Sequence, residues 1–244
     1  MKDGLQNLKG QNVDANLSQN IDLFGASDLH LIEWQDVKIH PQILDALLQL
    51  TDRAKNAGFD LRVASGFRSF ERQLLIWNKK VSGLRPVLNH TGEVIDINSL
   101  NDDEKVFAIL HWSALPGASR HHWGTDIDVY DASRLPDDYQ LQLTVEETEN
   151  GGPFAEFHQW LTEELKEGSD FFRPYVSGVG GISPEPWHLS HAPLAHIFAT
   201  QLSDIALREK IQVTDILLKE NILKNFDDIF NHYIKPYQLL ILKI

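Results

Sequence analysis

Two short stretches, SRHHWGTDIDVYD at residues 119–131 and PEPWHLSH at residues 184–191, concentrate the side chains that bind metals, and they constrain this chain more than any other feature. If they act together, the fold must join segments roughly sixty positions apart. The chain contains no cysteine, which excludes disulfides, thiolate ligands and a cysteine nucleophile, so a bound metal must rest on His, Asp or Glu.

Asp126 and Asp128 lie two apart on a strand predicted over residues 125–130, so their side chains share one face. His121 precedes them across a bend at Gly124 that can fold an imidazole back toward that strand, making the His-x6-Asp pair able to share one ion. Glu185 and His188, three apart around a proline, can set a base beside a ligand. Three protein ligands with a nearby carboxylate make up a catalytic zinc site, in which the fourth position stays open and the carboxylate moves a proton to the leaving amine. A shift of one residue would exchange the faces of His121 and His122, and spacing alone leaves both available. A serine hydrolase built on Ser119, a neighbouring His and Asp128 is a poorer reading: the Gly-x-Ser-x-Gly elbow is missing, and Glu185 and His188 would have no use.

Around these stretches the pattern is that of helices clustering about a few strands, an α+β domain with a small antiparallel sheet. Apolar residues at Leu44, Leu47, Leu48 and Ala54 follow helical spacing after Pro41. Leu61–Ala64 reads as a buried strand. Ser69 caps a second helix, and Asn101 with Glu104 forms a capping box for a third. Residues 85–100 look like a loop. Tyr139, Leu141, Leu143 and Val145 alternate with polar residues, which predicts a half-exposed strand paired with 125–130. A further helix follows Pro153, and the stretch beyond His191 is helical and amphipathic. The expected organisation is a polar arm over residues 1–35, a core over 36–192, and a helical extension over 193–244 packed on that core.

The motifs Ser119-Arg-His121-His-Trp-Gly124-Thr-Asp-Ile-Asp128 and Glu185-Pro-Trp-His188, with Ser65-Gly-Phe-Arg68-Ser69 upstream, resemble those of the VanY-type D-alanyl-D-alanine carboxypeptidases. That family belongs to a wider group with lysostaphin-type peptidases and the zinc-binding domain of sonic hedgehog. The resemblance spans roughly residues 40 to 192 with the motifs in the family's order. It implies Zn2+ as cofactor, held by His121, Asp128 and His188, with the motif spacing selecting His121 over His122. It further implies Glu185 as catalytic base, Arg68 as the cation that steadies the carbonyl oxygen as it becomes an oxyanion, and Ser119 and Gln73 as substrate contacts. The implied activity is hydrolysis of the C-terminal peptide bond of D-Ala-D-Ala or related peptidoglycan stem peptides. A non-catalytic hedgehog-like zinc module and a peptidoglycan endopeptidase are the rivals. One position departs from the family: Asp126 stands where a small residue is usual, and it can orient a ligand imidazole or pair with an arginine.

Charge narrows the partners. With 35 acidic against 22 basic residues and a net charge of -13, the chain is unsuited to nucleic acid, whose binding relies on Lys and Arg against phosphate. No apolar run reaches membrane-spanning length, and the first residues lack the apolar core of a signal peptide. The expectation is therefore a cytoplasmic protein, or a periplasmic one if a leader has been removed, acting on a peptidoglycan-derived peptide.

Overall fold

The computed structural model describes residues 22–135, 138–149, 151–166 and 168–241. Most of the arm expected over residues 1–35 thus lies outside the described residues.

The first described element is a hairpin of β1 (Ile32–Trp34) and β2 (Val37–Ile39). Helix α1 (Leu44–Asn56) buries Leu47, Leu50 and Ala54 along one stripe, and Gly58 follows it at φ 93°. Strand β3 (Leu61–Ser65) leads into α2 (Phe70–Val81), whose first turn is closed by the Ser69 hydroxyl accepting from Arg72 N–H. The side chains buried on α2 are Phe70, Gln73, Trp77 and Lys80, one helical face in which two of the four are polar.

Residues 85–100 contain a second small hairpin, β4 (Val87–Leu88) against β5 (Val94–Ile95), where a plain loop was expected. Its reversal is held by Asn89, whose side-chain oxygen accepts from the N–H groups of Thr91 and Glu93, a contact too local to show in hydrophobic periodicity. The predicted capping box is formed at α3 (Asp102–Leu110), with Asn101 and Glu104 each bonding the other's backbone.

Strand β6 (Asp126–Asp131) pairs with β3 on one side and, across roughly sixty residues of sequence, with the later strand on the other. The segment expected to pair with it does not. Residues 138–144 form an irregular loop leading into a short helix, α4 (Val145–Thr148). The cause is Glu147, whose buried carboxylate accepts from the N–H groups of Gln142, Leu143 and Thr144 and from the Tyr139 hydroxyl. Those backbone donors are committed to one side chain and are lost to a sheet ladder.

Helix α5 (Ala155–Glu164), strand β7 (Phe171–Phe172) and strand β8 (His188–His191) complete the central unit. The sheet order is β3-β6-β8-β7, antiparallel throughout. Beyond it run α6 (Ala192–Gln201), α7 (Asp204–Val213), α8 (Lys219–Lys224), α9 (Phe226–Ile229) and, after a π-helical turn over Phe230–Ile234, α10 (Lys235–Ile241). Leu194, Phe198, Leu207, Ile222 and Phe226 from these helices lie in the same hydrophobic cluster as Val63, Ile127 and Leu189 of the sheet. Each such side chain stabilises the fold by about 1.5–3 kcal/mol when fully buried, so the C-terminal helices are integral to the core. Among the described residues, no helix is long and apolar enough to cross a membrane.

Candidate metal centre

The register of two central strands creates the site. On β6 and β8, Asp128 stands opposite His188 and Asp126 opposite Ser190, so the His188 ring comes between two carboxylates. His121 reaches the same place from the turn Arg120–Trp123, which ends at Gly124 with φ 67°. A Cβ at Gly124 would lie 3.0 Å from the His40 backbone nitrogen, and the left-handed backbone adds to the case for glycine there.

One ligand atom from each of His121, Asp128 and His188 falls within 4.8 Å of the others, and all three residues are buried. The two imidazoles meet at 4.7 Å between ring centroids. Each ring has its far nitrogen tied down. His121 Nδ1 donates to the Gly66 carbonyl at 2.8 Å, leaving Nε2 to face Asp128 Oδ2 at 3.4 Å. His188 Nε2 donates to Asp126 Oδ2 at 3.0 Å, leaving Nδ1 to face Asp128 Oδ1 at 3.2 Å.

That last contact tests whether the residues suit a cation. Although close, the approach of His188 Nδ1 to Asp128 Oδ1 is not that of a hydrogen bond, and both atoms are buried without a hydrogen-bond partner in the described structure. With Nε2 carrying the proton, a bare nitrogen lone pair confronts a carboxylate oxygen, an arrangement that a divalent cation relieves. In its absence, burial opposes charge on His188, but Asp126, Asp128 and Glu185 outweigh burial and hold its pKa well above the ordinary value. Asp128 is likewise penalised by burial yet held well below the usual carboxylate range by His121 and His188. Two imidazoles and one carboxylate form a hard-to-borderline donor set that fits zinc.

Asp126, the departure noted in the sequence, performs both roles considered for it. Besides His188, it accepts from Arg120 Nε at 2.7 Å, Thr125 Oγ1 at 2.8 Å and Ser190 Oγ at 2.9 Å, at 0 % exposure. Burial works against its charge, and Arg120 and His188 overcome it, leaving the carboxyl well below its usual range. Arg120 is itself buried, over the Trp123 ring at 4.9 Å.

His122 turns away from the cluster. A carbonyl can only accept, so its Nδ1 carries the proton donated to Arg68 O at 2.6 Å, while Nε2 accepts from Gly117 N–H at 3.1 Å. Burial lowers this imidazole to about 4 and keeps it neutral. Together with Arg68 N–H donating to the His121 carbonyl at 3.0 Å, these bonds stitch residues 66–68 to residues 121–122. His191, also near the strand end, caps α6 by accepting from Leu194 N–H.

Glu185 stands beside the cluster with Oε2 3.4 Å from His188 Nδ1. A cavity of about 540 Å3 opens over these residues, and Arg68, Ser119, Glu185 and Trp187 are on its wall. Gln73, expected to touch substrate, is placed differently. It is 1 % exposed, its Oε1 accepts from Arg68 at 3.1 Å and its Nε2 donates to Ala114 O at 2.7 Å, so its amide braces Arg68 against the Ala114 backbone. Lys80, Arg85 and Tyr175 also line the cavity, though no motif in the sequence pointed to them. Lys80 was detectable only as a lysine on the apolar stripe of α2.

A family model described as VanY, D-alanyl-D-alanine carboxypeptidase, matches residues 36–194. An uncharacterized protein of Haemophilus influenzae is 36% identical over 122 residues, covering 49% of this chain and 92% of the relative. Among solved structures, VanYB in complex with D-alanine-D-alanine is 22% identical with a TM-score of 0.49, over 78% of this chain and 91% of that one. The vancomycin-resistance D,D-pentapeptidase VanY of a VanB-type cassette, in complex with Zn(II), is 24% identical with a TM-score of 0.47, over 80% of this chain and 90% of that one.

Proposed function

Because this chain belongs to the VanY D-alanyl-D-alanine carboxypeptidase family, we propose that it is a zinc-dependent carboxypeptidase that removes the terminal residue from D-Ala-D-Ala or related peptidoglycan stem peptides. The observation that carries the reading is the convergence of His121 Nε2, Asp128 and His188 Nδ1 on one point beside Glu185.

In this reading His121, Asp128 and His188 hold the ion. A bound zinc ion supplies Lewis acidity, which polarises a peptide carbonyl and makes water more acidic. The chain's own groups do the rest. Glu185, on the loop before β8, accepts the proton of the attacking water and delivers it to the leaving amine. Arg68, braced by Gln73 and by Ser65 Oγ at 3.3 Å, faces the cavity with its charge available to an oxygen that becomes negative. The Gly66 carbonyl and Asp126 fix the tautomers of the two ligand imidazoles, so that neither ring must reorient. Ser119, 2 % exposed and on the cavity wall, contacts the peptide backbone in this reading.

The test is release of D-alanine from acetyl-L-Lys-D-Ala-D-Ala by the zinc-loaded protein. The reading expects release that a chelator abolishes and zinc restores, with Glu185→Ala inactive at full metal content. Absence of D-alanine from the zinc-loaded wild type, or undiminished release by Glu185→Ala, contradicts it.

A further inference from the structure

The cavity above the metal cluster is lined by three cations for which no ion pair is formed among the described residues. Acidic residues outnumber basic ones 35 to 22, so a cation on this chain has many possible partners. Buried Arg120 has one in Asp126, and exposed Arg53, Arg62 and Arg134 have theirs. Arg68, Lys80 and Arg85 all line the cavity, and among the described residues none of them is ion-paired.

Lys80 is the least expected of the three. It is 7 % exposed, on the face of α2 that also buries Gln73 and Trp77, and its ammonium has no hydrogen-bond partner among the described residues. Lysine is seldom buried unpaired, because taking an ammonium out of water without a counter-charge is costly. Burial, followed by the charge of Arg85, brings it down to about 8, so it remains a cation at neutral pH; Arg68 acts in the same direction and Glu185 opposes. Among the described residues, the side-chain hydrogen bonds of Arg68 go to the neutral acceptors Gln73 and Ser65, while Asp128 and Glu185 favour its charge from a greater distance. The cavity's acids, Asp128 and Glu185, stand at the metal cluster and are engaged there.

A bound anion would supply the counter-charge that these cations lack among the described residues. We propose that Lys80 and Arg85 form the subsite for the free C-terminal carboxylate of the peptide substrate, and so make the enzyme an exopeptidase. The inference rests on the carboxypeptidase reading above. It adds which residues recognise the chain end. Positive charge one residue beyond the cut bond favours a free chain end, and the ammonium and guanidinium lie in the same cavity as Arg68 and Glu185. The ammonium, fixed by the packing of α2, requires little ordering on binding, whereas exposed Arg85 adds its charge at the mouth. The same chemistry could be met by carboxylates further up a stem peptide. Acetyl-L-Lys-D-Ala-D-Ala has none, so it isolates the terminal one.

The experiment measures binding by calorimetry to zinc-loaded Glu185→Ala protein, comparing acetyl-L-Lys-D-Ala-D-Ala with its C-terminal amide. The free acid should bind about 10- to 100-fold more tightly than the amide, the range expected for one charge-assisted contact. Adding Lys80→Met should remove most of that preference while leaving amide affinity unchanged, Lys80→Arg should restore much of it, and Arg85→Met should weaken it partially. Thermal melting and zinc content of each variant establish that fold and metal site persist. Equal affinity for acid and amide, or a preference that Lys80→Met leaves intact, overturns the inference. A Lys80-dependent preference in a protein whose wild type releases no D-alanine would uphold the anion subsite and reject the hydrolytic reading.

Discussion

Nε2 of His188 lies 3.0 Å from Oδ2 of Asp126, and Asp126 in turn is held by Arg120 at 2.7 Å. This buried Arg–Asp–His chain fixes the ring of one candidate metal ligand from behind. The paired guanidinium compensates the aspartate, so the imidazole donates a strong hydrogen bond without facing an isolated negative charge.

Asp126→Asn should therefore lower zinc affinity by about 10- to 100-fold, measured by competition with a chromophoric chelator. Asp126→Ala should also destabilise the fold by about 3–5 kcal/mol, since Arg120 would remain buried without its counter-charge. Wild-type zinc affinity in Asp126→Asn would show that the chain has only a packing role.

The loop over residues 138–144 should depend on one side chain. Glu147 is 4 % exposed and accepts from three backbone N–H groups and the Tyr139 hydroxyl. Replacing it with Ala leaves those donors without a partner at about 1–3 kcal/mol for each that stays buried. Urea unfolding should show a large loss for Glu147→Ala and a smaller one for Tyr139→Phe, while equal midpoints would refute this account of the loop.

The C-terminal helices should affect catalysis through the loop that carries Glu185. The Tyr237 hydroxyl on α10 donates to Val179 O at 2.6 Å and accepts from Ile182 N–H at 2.9 Å, and its ring packs 5.0 Å from Tyr175. Tyr175 O accepts from Glu185 N–H at 3.0 Å. Tyr237→Phe should lower kcat for D-alanine release severalfold at unchanged zinc content, with about 1–2 kcal/mol of stability lost. An unaffected kcat would limit these helices to a structural role.

Acid should weaken the fold through buried neutral histidines. Burial and Arg173 push His158 down to about 3, and burial with the charges of His30 and His191 pushes His40 down to about 4. Unfolding returns each to about 6.5. These folded pKa values are depressed, so the stability tied to the neutral rings is complete above about pH 6.5. It is lost as pH falls toward 4 and 3, at about 1.4 kcal/mol per pH unit for each histidine. Urea midpoints at pH 7 and pH 5 should differ less in His158→Gln than in wild type; identical differences would count against the assignment.

The candidate site was legible in the sequence because its chemistry is local. His121, Asp128, Glu185 and His188 sit in two dense stretches, and the residue spacing on β6 survived folding. Asp126 could be given two alternative roles from sequence but not both, since its hold on His188 arises from the cross-strand register of β6 and β8. Tyr139 to Val145 misled because alternation records where apolar side chains point and says nothing of Glu147 capturing the backbone. Gln73 and Lys80 show the same limit: the resemblance made Gln73 a substrate contact and nothing singled out Lys80, and only the packing of α2 against the cavity separates a brace from a charged wall.

In the proposed site His121, Asp128 and His188 grip one cation. Diffraction from zinc-soaked crystals at the zinc absorption edge tests it most directly. A single strong anomalous peak is predicted about 2.0–2.3 Å from His121 Nε2, an Asp128 carboxylate oxygen and His188 Nδ1. A peak centred on His122 or elsewhere, or no peak from zinc-saturated protein, would contradict it.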